Sequence, residues 1–427
     1  MKLKTILQLC LMASVMAIMA LAFTACGGSS DSGEGEEAAA DSSGTTIKFQ
    51  QWWGAELPEG YLDEICADFE AESGITVELL TAPWADTKTA ITAGAANNTI
   101  ADVLSVDGAW LAEFVDMGIL TDIEAAGVDL SVVSDYWKVG DTPYVVPVNN
   151  FAYPMYVNMD ILKDAGVDAI PTNWTELLDA CKKIKDSGKQ AFALNLGTTN
   201  ANGIQNVYGG TGWASDIKLK NDEGVYEVAG NEGQKELAEF YKEMYDNGCL
   251  YEGMSTLEEA EMTSNFAAGN CAFTVASAAT MSQFTDVNFE TALIPSKDDY
   301  EGKHGICYAS WAVGISEASE NKEAAAQFVN YLLTGKDGDV SAGLASTMSA
   351  FPNSTVANPD YSEAPEQFQS FFKLYKDNYV INEYIGLPNA SDVMTNMTND
   401  LVMYLEGDME VDKMLDNWQE YLDNAGK

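Results

Sequence analysis

The sequence predicts an α/β fold organised as two lobes, and three observations carry that prediction. From residue 46 onward, strand-like and helix-like runs alternate, which is the order of a mostly parallel sheet with helices on both faces. A second set of such runs follows residue 158. Apolar, β-rich stretches near residues 144–153 and 303–312 fit strands that cross between the two sets. The chain has 427 residues, 47% of them hydrophobic, enough for two or three domains with cores of their own.

The first run, "IKFQQWW", and the later "ITVELLTA" are rich in β-branched and aromatic residues and read as strands. Between them, "YLDEICADFEAESG" puts Leu62, Ile65, Cys66 and Phe69 on one helical face and closes on Gly74. The helix-like "DTKTAITAGAANN" leads to the strand "ADVLSVD", and "AWLAEFVDMG" is a short amphipathic helix. After "YVVPVNNFAYPMYVN" comes "NWTELLDACKKIKDSG", with Trp174, Leu177, Leu178, Cys181 and Ile184 on one stripe and Asn173 and Glu176 spaced as a capping box. "AFALNL" and "CAFTVAS" read as strands, and "QKELAEFYKEMYDNG" as a helix ended by Gly248. Beyond "TALIPS" and "CYASWAVGIS" the chain is mainly helical, broken at "FPNSTVANPDY". No repeat of solenoid period is present.

Neighbouring side chains on a strand face opposite ways. The adjacent Trp52 and Trp53 therefore pose a question, since only one of them can share the face of a given core. One is expected to pack inside its lobe and the other to face a cleft.

Charge narrows the ligand. The chain has 66 acidic and 22 basic residues, a formal net charge of -44, and every basic residue is lysine. A nucleic-acid partner needs clustered Lys and Arg and is excluded. Without arginine there is no planar fork for carboxylate or phosphate, so a neutral ligand is expected, or failing that a cationic one. Cys66, Cys181, Cys249, Cys271 and Cys307 are an odd number without a CxxC pair and read as buried thiols, not a disulfide framework. No spacing suits a metal, and no cofactor is expected. His304 is the single histidine and no GxSxG frames a nucleophile, so an enzyme is not expected. The 66 acids leave a paired-carboxylate glycoside hydrolase as a distant alternative.

The N-terminal "MKLKTILQLCLMASVMAIMALAFTAC" has a basic start, an apolar stretch and small residues before Cys26, a signal-peptide pattern. It resembles the bacterial lipoprotein signal, which implies cleavage after residue 25 and lipidation of Cys26. Residues 26–45 then form a flexible tether. The coil over residues 27–45 reaches about 25 Å, beyond a Debye length of about 8 Å, which holds the acidic body off an anionic membrane. The membrane is expected to be touched through the lipid only, at the outer face of the cytoplasmic membrane.

Six landmarks in order resemble the extracellular solute-binding proteins of family 1, the substrate-binding lipoproteins of carbohydrate ABC transporters. They are "FQQWWG", "TAGAANNTIADVLSVDGAWLAEFVDMGILTDI", the crossing strand with Tyr-x-Asn and Pro-Thr-x-Trp in "YVVPVNNFAYPMYVNMDILKDAGVDAIPTNWTEL", "NFAAGNCAFTVAS", "ALIPS" and "CYASWAVGIS". The resemblance implies a periplasmic-binding-protein-like fold with hinge strands and a ligand cleft between the lobes. Lobe one would comprise 46–149 plus 311–355, and lobe two 150–310 plus 356–427. It also implies a monomer that hands a carbohydrate to ABC permease subunits. Ligands of open parallel sheets bind beyond the carboxyl ends of the strands, where Trp52 and Trp53 sit. The further candidates for ligand contact are Trp84, Asp107, Trp110, Asn149, Tyr153, Asn195, Asn200, Trp213, Trp311, Asn389 and Asp392. Indoles suit the apolar C–H face of a pyranose, and carboxylates and amides its rim of hydroxyls. Trp137, Trp174 and Trp418 are expected to pack in cores. A polyamine held by acids and aromatics is the rival ligand, and it would need acids converging in the cleft. A purely structural adhesin lacks the repeats and β-richness it would require.

Overall fold

The computed structural model describes residues 44–427; the expected signal peptide, Cys26 and the expected tether before Gly44 lie outside the described residues. Twelve strands are found there: β1 (Thr46–Gln51), β2 (Thr76–Thr81), β3 (Val103–Val106), β4 (Trp137–Val139), β5 (Thr142–Ala152), β6 (Met155–Asn158), β7 (Gln190–Ala193), β8 (Cys271–Val275), β9 (Phe289–Ala292), β10 (Gly305–Ile315), β11 (Phe351–Pro352) and β12 (Tyr379–Ile381). They form two sheets. The first runs β11-β5-β10-β3-β1-β2, with β4 on β5 and β12 on β10; the second runs β7-β8-β6-β9.

The two lobes meet on β5 and β10. These 11-residue strands pair antiparallel from Tyr308 opposite Ala152 to Gly314 opposite Val145, with a bulge between Trp311 and Ala312. After Ala152 the chain turns at Tyr153–Pro154 and enters the second sheet as β6. Pro154 has no N–H to give to a ladder, which suits the break between the sheets. Tyr156 and Asn158 of the Tyr-x-Asn landmark are structural: the Tyr156 hydroxyl donates to the Ser277 carbonyl at 2.9 Å, and Asn158 accepts from the amides of Asp160 and Ile161 as a helix cap.

Local signals explain most of the helices. Tyr61–Ser73 buries Leu62, Ile65, Cys66 and Phe69 and ends at Gly74, whose φ of 74° is the left-handed conformation that favours glycine. Asn173 caps Trp174–Asp186 by accepting from the Glu176 amide at 2.9 Å. The Glu176 carboxylate, however, takes the amide and hydroxyl of Thr172, one residue earlier than a capping box places it. The helix predicted from Asp86 begins at Trp84, because Pro83 ahead of it sets a helix start without needing an N–H. Missed in the sequence were the wound segment Ile204–Gly209 that continues into Gly210–Trp213, and the short β12.

The first core draws on Ile47 to Phe151 and Trp311 to Ala350. The second and third draw mainly on residues between Ala152 and Ile306 and on the C-terminal helices. Trp137, Trp174 and Trp418 are buried, as are the five cysteines, all free. No helix among the described residues is long and apolar enough to cross a membrane.

Glu383 shows how the C-terminal segment is fastened. It is 9% exposed and accepts from Trp213 Nε1 (2.7 Å), Leu219 N (2.7 Å) and Lys220 N (2.9 Å). Glu383→Ala leaves these donors unpaired, two of them in the core. It is expected to cost about 3 kcal/mol and to lower Tm by several degrees in a thermal melt. Glu383→Gln, which keeps an acceptor oxygen, is expected to lose less.

Candidate ligand-binding cleft

Because β1 pairs in parallel with both β2 and β3, the loops leaving their carboxyl ends lie side by side. The end of β1 is set by Gln51, which is fully buried; its Oε1 accepts from Gly54 N at 2.8 Å and its Nε2 donates to Thr81 Oγ1 at 2.7 Å. This folds the chain into a single 3-10 turn, Trp53–Ala55. The strand alternation therefore stops before the tryptophans, and both are buried, Trp52 at 4% and Trp53 at 0% exposure. Trp53 packs edge-on to Phe49 and stacks on Trp311, ring centroids 5.1 Å apart and 10° from parallel. Trp52 meets Trp110 edge-on at 5.8 Å, and Trp110 in turn stacks on Trp84 at 5.8 Å.

Two carboxylates are held by these indoles. Trp84 Nε1 donates to Asp107 Oδ2 and Trp311 Nε1 to Glu56 Oε2, both at 3.2 Å. Asp107, just past β3, also caps the following turn through Ala109 N at 2.9 Å. A third carboxylate comes from the other lobe. Glu259 opens the helix Glu259–Ala267 and accepts from Asn202 Nδ2. Asn202 Oδ1 takes the amide of Asn195, which follows β7, at 3.0 Å. Tyr153 stands at the crossing, buried, its amide bonded to the Cys307 carbonyl at 3.0 Å.

These groups feel one another. Burial pushes the Glu56 carboxyl up to about 7, against the Trp311 bond and with help from the charge of Glu259. Burial likewise pushes Glu259 up to about 7, against the Asn202 bond and with help from Asp107. Burial raises Asp107 as well, despite its bonds to Ala109 and Trp84 and the charge of Lys88. The Tyr153 hydroxyl is held well above the usual tyrosine range by burial, then by Glu259, Cys307, Asp107 and Glu56. Glu56 keeps an outer edge in solvent while surrounded by protein, the situation of a group on a cleft wall. The three carboxylates are not a metal site: among the described residues no group of three His, Cys, Asp or Glu is arranged to hold a metal ion.

Of the residues singled out in the sequence, Trp52, Trp84, Asp107, Trp110, Tyr153, Asn195 and Trp311 belong to this constellation. Others lie elsewhere. Trp53 has its face on Trp311, inside the core. Asn149 is fully buried in β5, its amide set to donate to the Val148 carbonyl and accept from Ala345 N. Trp213 is spent on Glu383 in lobe two. Asn200 is half-buried with no side-chain hydrogen bond, and Asn389 and Asp392 are exposed at the start of Ala390–Glu406. The sequence reading missed Glu56, Glu259 and Asn202. Glu56 carried a faint signal in its position just past the first strand; Glu259, inside "LEEAEM", looks like ordinary acid at a helix start.

The lobes touch beside the site. Gly386 N donates to the Gly108 carbonyl at 3.1 Å, and a Cβ on Gly108 would lie 2.6 Å from Ile385 Cγ1.

A pH dependence follows from Glu56 and Glu259. Both titrate near 7 in the fold against 4.5 ordinarily, so ionising them disfavours the folded state. Their effect is absent below about pH 4.5 and grows as pH rises through about 7. In thermal melts the double variant Glu56→Gln, Glu259→Gln is expected to gain Tm relative to the parent from pH 5 to about pH 7 and to hold that gain at higher pH. A Tm difference that does not change with pH would mean that neither carboxyl is perturbed.

The chain is similar to several known proteins. A protein of Brucella abortus (strain 2308), named only as a binding protein, is 24% identical over 349 residues, covering 79% of this chain and 83% of its own. The GacH receptor of Streptomyces glaucescens, solved unliganded and with acarbose, superposes with a TM-score of 0.72 at 18% identity, over 89% of this chain and 99% of that one. The cyclic α-maltosyl-1,6-maltose binding protein of Arthrobacter globiformis superposes equally well, TM-score 0.72 at 17% identity, over 89% and 98%. These likenesses establish the two-lobe fold. Residues 54–338 match the family model described as bacterial extracellular solute-binding protein, and the chain belongs to that family.

Proposed function

We propose that this chain captures a carbohydrate in the cleft between its lobes and delivers it to the permease of an ABC importer. The observation that carries this reading is the pairing of indole and carboxylate at the ends of β1 and β3. Trp84 stacks on Trp110 while bonding Asp107, and Trp311 bonds Glu56. Such a surface offers an apolar face beside acceptor oxygens, as the C–H face and hydroxyl rim of a sugar require. The solved relatives named above, which bind acarbose and a cyclic maltosyl-maltose, support it.

Closure supplies the signal. A ligand touching Glu56 and Asp107 on one side and Glu259 on the other favours the closed form by its differential affinity. The chain is proposed to act as a monomer, to release its sugar unchanged, and to be held at the outer face of the cytoplasmic membrane by lipid on Cys26. A cationic solute without a sugar ring is the second reading, favoured by the convergence of three carboxylates.

The deciding experiment is a thermal-shift panel of neutral mono- and oligosaccharides beside polyamines, with salt varied. A saccharide at 100 times its Kd is expected to stabilise the fold by about 2.7 kcal/mol, insensitive to salt, and to be recovered intact. A shift only with polyamines, fading as salt rises, would overturn the carbohydrate reading. Once a saccharide is in hand, Gly108→Ala is expected to weaken its binding by about tenfold, because the added methyl presses on Ile385 where the lobes touch. Tm without ligand is expected to fall as well, since that contact is part of the fold described.

A further inference from the structure

The acids and amides of the cleft are one-sided in hydrogen bonding. Four side-chain donors are already spent among them: Trp84 on Asp107, Trp311 on Glu56, Asn202 on Glu259 and Asn195 on Asn202. The carboxylate and amide atoms left to meet a ligand are mainly acceptors, beside the donors of Trp52, Trp110 and Tyr153. They include Oε1 of Glu56 and of Glu259, neither of which receives a hydrogen bond from the described residues, and Oδ1 of Asn195. Asn195 is 2% exposed and its oxygen has no donor, although the amide belongs to the relay that ends on Glu259. A buried acceptor of this kind is costly unless something donates to it.

Charge is more one-sided still. Glu56, Asp107 and Glu259 come from three segments and two lobes. Lys88, the cation whose charge reaches Asp107, is engaged with Glu113 at 2.6 Å. A ligand bearing phosphate, sulfate or carboxylate would bring only more acceptors and more negative charge. A neutral hydroxyl brings one donor per oxygen and leaves the carboxylates in mutual repulsion. An ammonium brings three donors and a compensating charge, and indole faces favour it further.

We propose that the saccharide taken by this cleft carries a protonated amine, held between Glu56 of one lobe and Glu259 of the other. The inference rests on the carbohydrate reading above and narrows it to amino sugars. It accounts for a second feature. The two carboxyls titrate near 7 without ligand, so an ammonium binding between them at pH 7 drives off the protons they hold, whereas a neutral sugar does not.

Titration calorimetry on the full-length chain tests this with glucosamine, galactosamine and chitosan oligosaccharides. Each is measured beside its N-acetylated and its hydroxyl counterpart, with spermidine as the cation that is not a sugar. At least one amine is expected to bind about tenfold tighter than its neutral counterparts. At pH 7, buffers of different ionisation heat should register proton release for the amine alone. The advantage should vanish in Glu56→Gln, Glu259→Gln, and the proton count on the parent chain carries the test should that variant fold poorly. Neutral sugars binding as tightly as amines, or amine binding without proton release, would overturn the amine inference and leave the carbohydrate reading standing. Binding of spermidine but of no saccharide, or of none of these probes, would overturn both.

Discussion

The antiparallel pairing of β5 with β10 is the constraint on which the rest depends. Both lobes connect through these strands: β10 runs beside β12 at its start and beside β3 at its end, and β5 passes into β6 of the second sheet after a two-residue turn. Wherever the two lobes go, their relative position is read through this ladder. Trp311 sits at its bulge and Tyr153 at its exit. Two residues of the candidate site are thus built into the element that joins the lobes, and under the proposed function closure and ligand contact share one backbone.

On that frame the first lobe keeps its aromatic mass at the strand ends. Trp53, Trp311, Phe49 and Phe151 form a packed group, and Trp52, Trp110 and Trp84 a second one beside it. The packing fixes each ring, and each ring's N–H then fixes a carboxylate, as with Trp311 on Glu56 and Trp84 on Asp107. A carboxylate near an apolar wall is held out of bulk water, which is why burial leads every shift in the cleft. The acids are thereby kept in one orientation before any ligand arrives, and less ordering remains to be done on binding.

The acidity of the chain plays different parts in different places. On the surface it keeps the molecule soluble and apart from other acidic surfaces. Three acids among 66 are set apart by geometry, not by type. Glu383, also enclosed, is saturated by three donors and serves only to fasten a loop. Glu56 and Glu259 each receive one bond and keep an oxygen open.

Much was legible in the sequence alone: the order of strands and helices, the two crossing strands, the family resemblance, and the absence of arginine that bears on an anionic ligand. These rest on local periodicity, capping residues and composition, which need no knowledge of distant neighbours. The tertiary structure decided the site. Gln51 ends β1 one residue before the tryptophans, so the alternation that set Trp52 and Trp53 on opposite faces does not reach them, and the stack on Trp311 draws Trp53 into the core. Asn149 looked available in the crossing strand until β11 and the helix at Ala345 closed over it. Glu56 and Glu259, far apart in the chain, became neighbours only when the second lobe presented its helix to the first. Which carboxylate meets which is a matter of long-range pairing, and no periodicity in a chain with 66 acids marks them out.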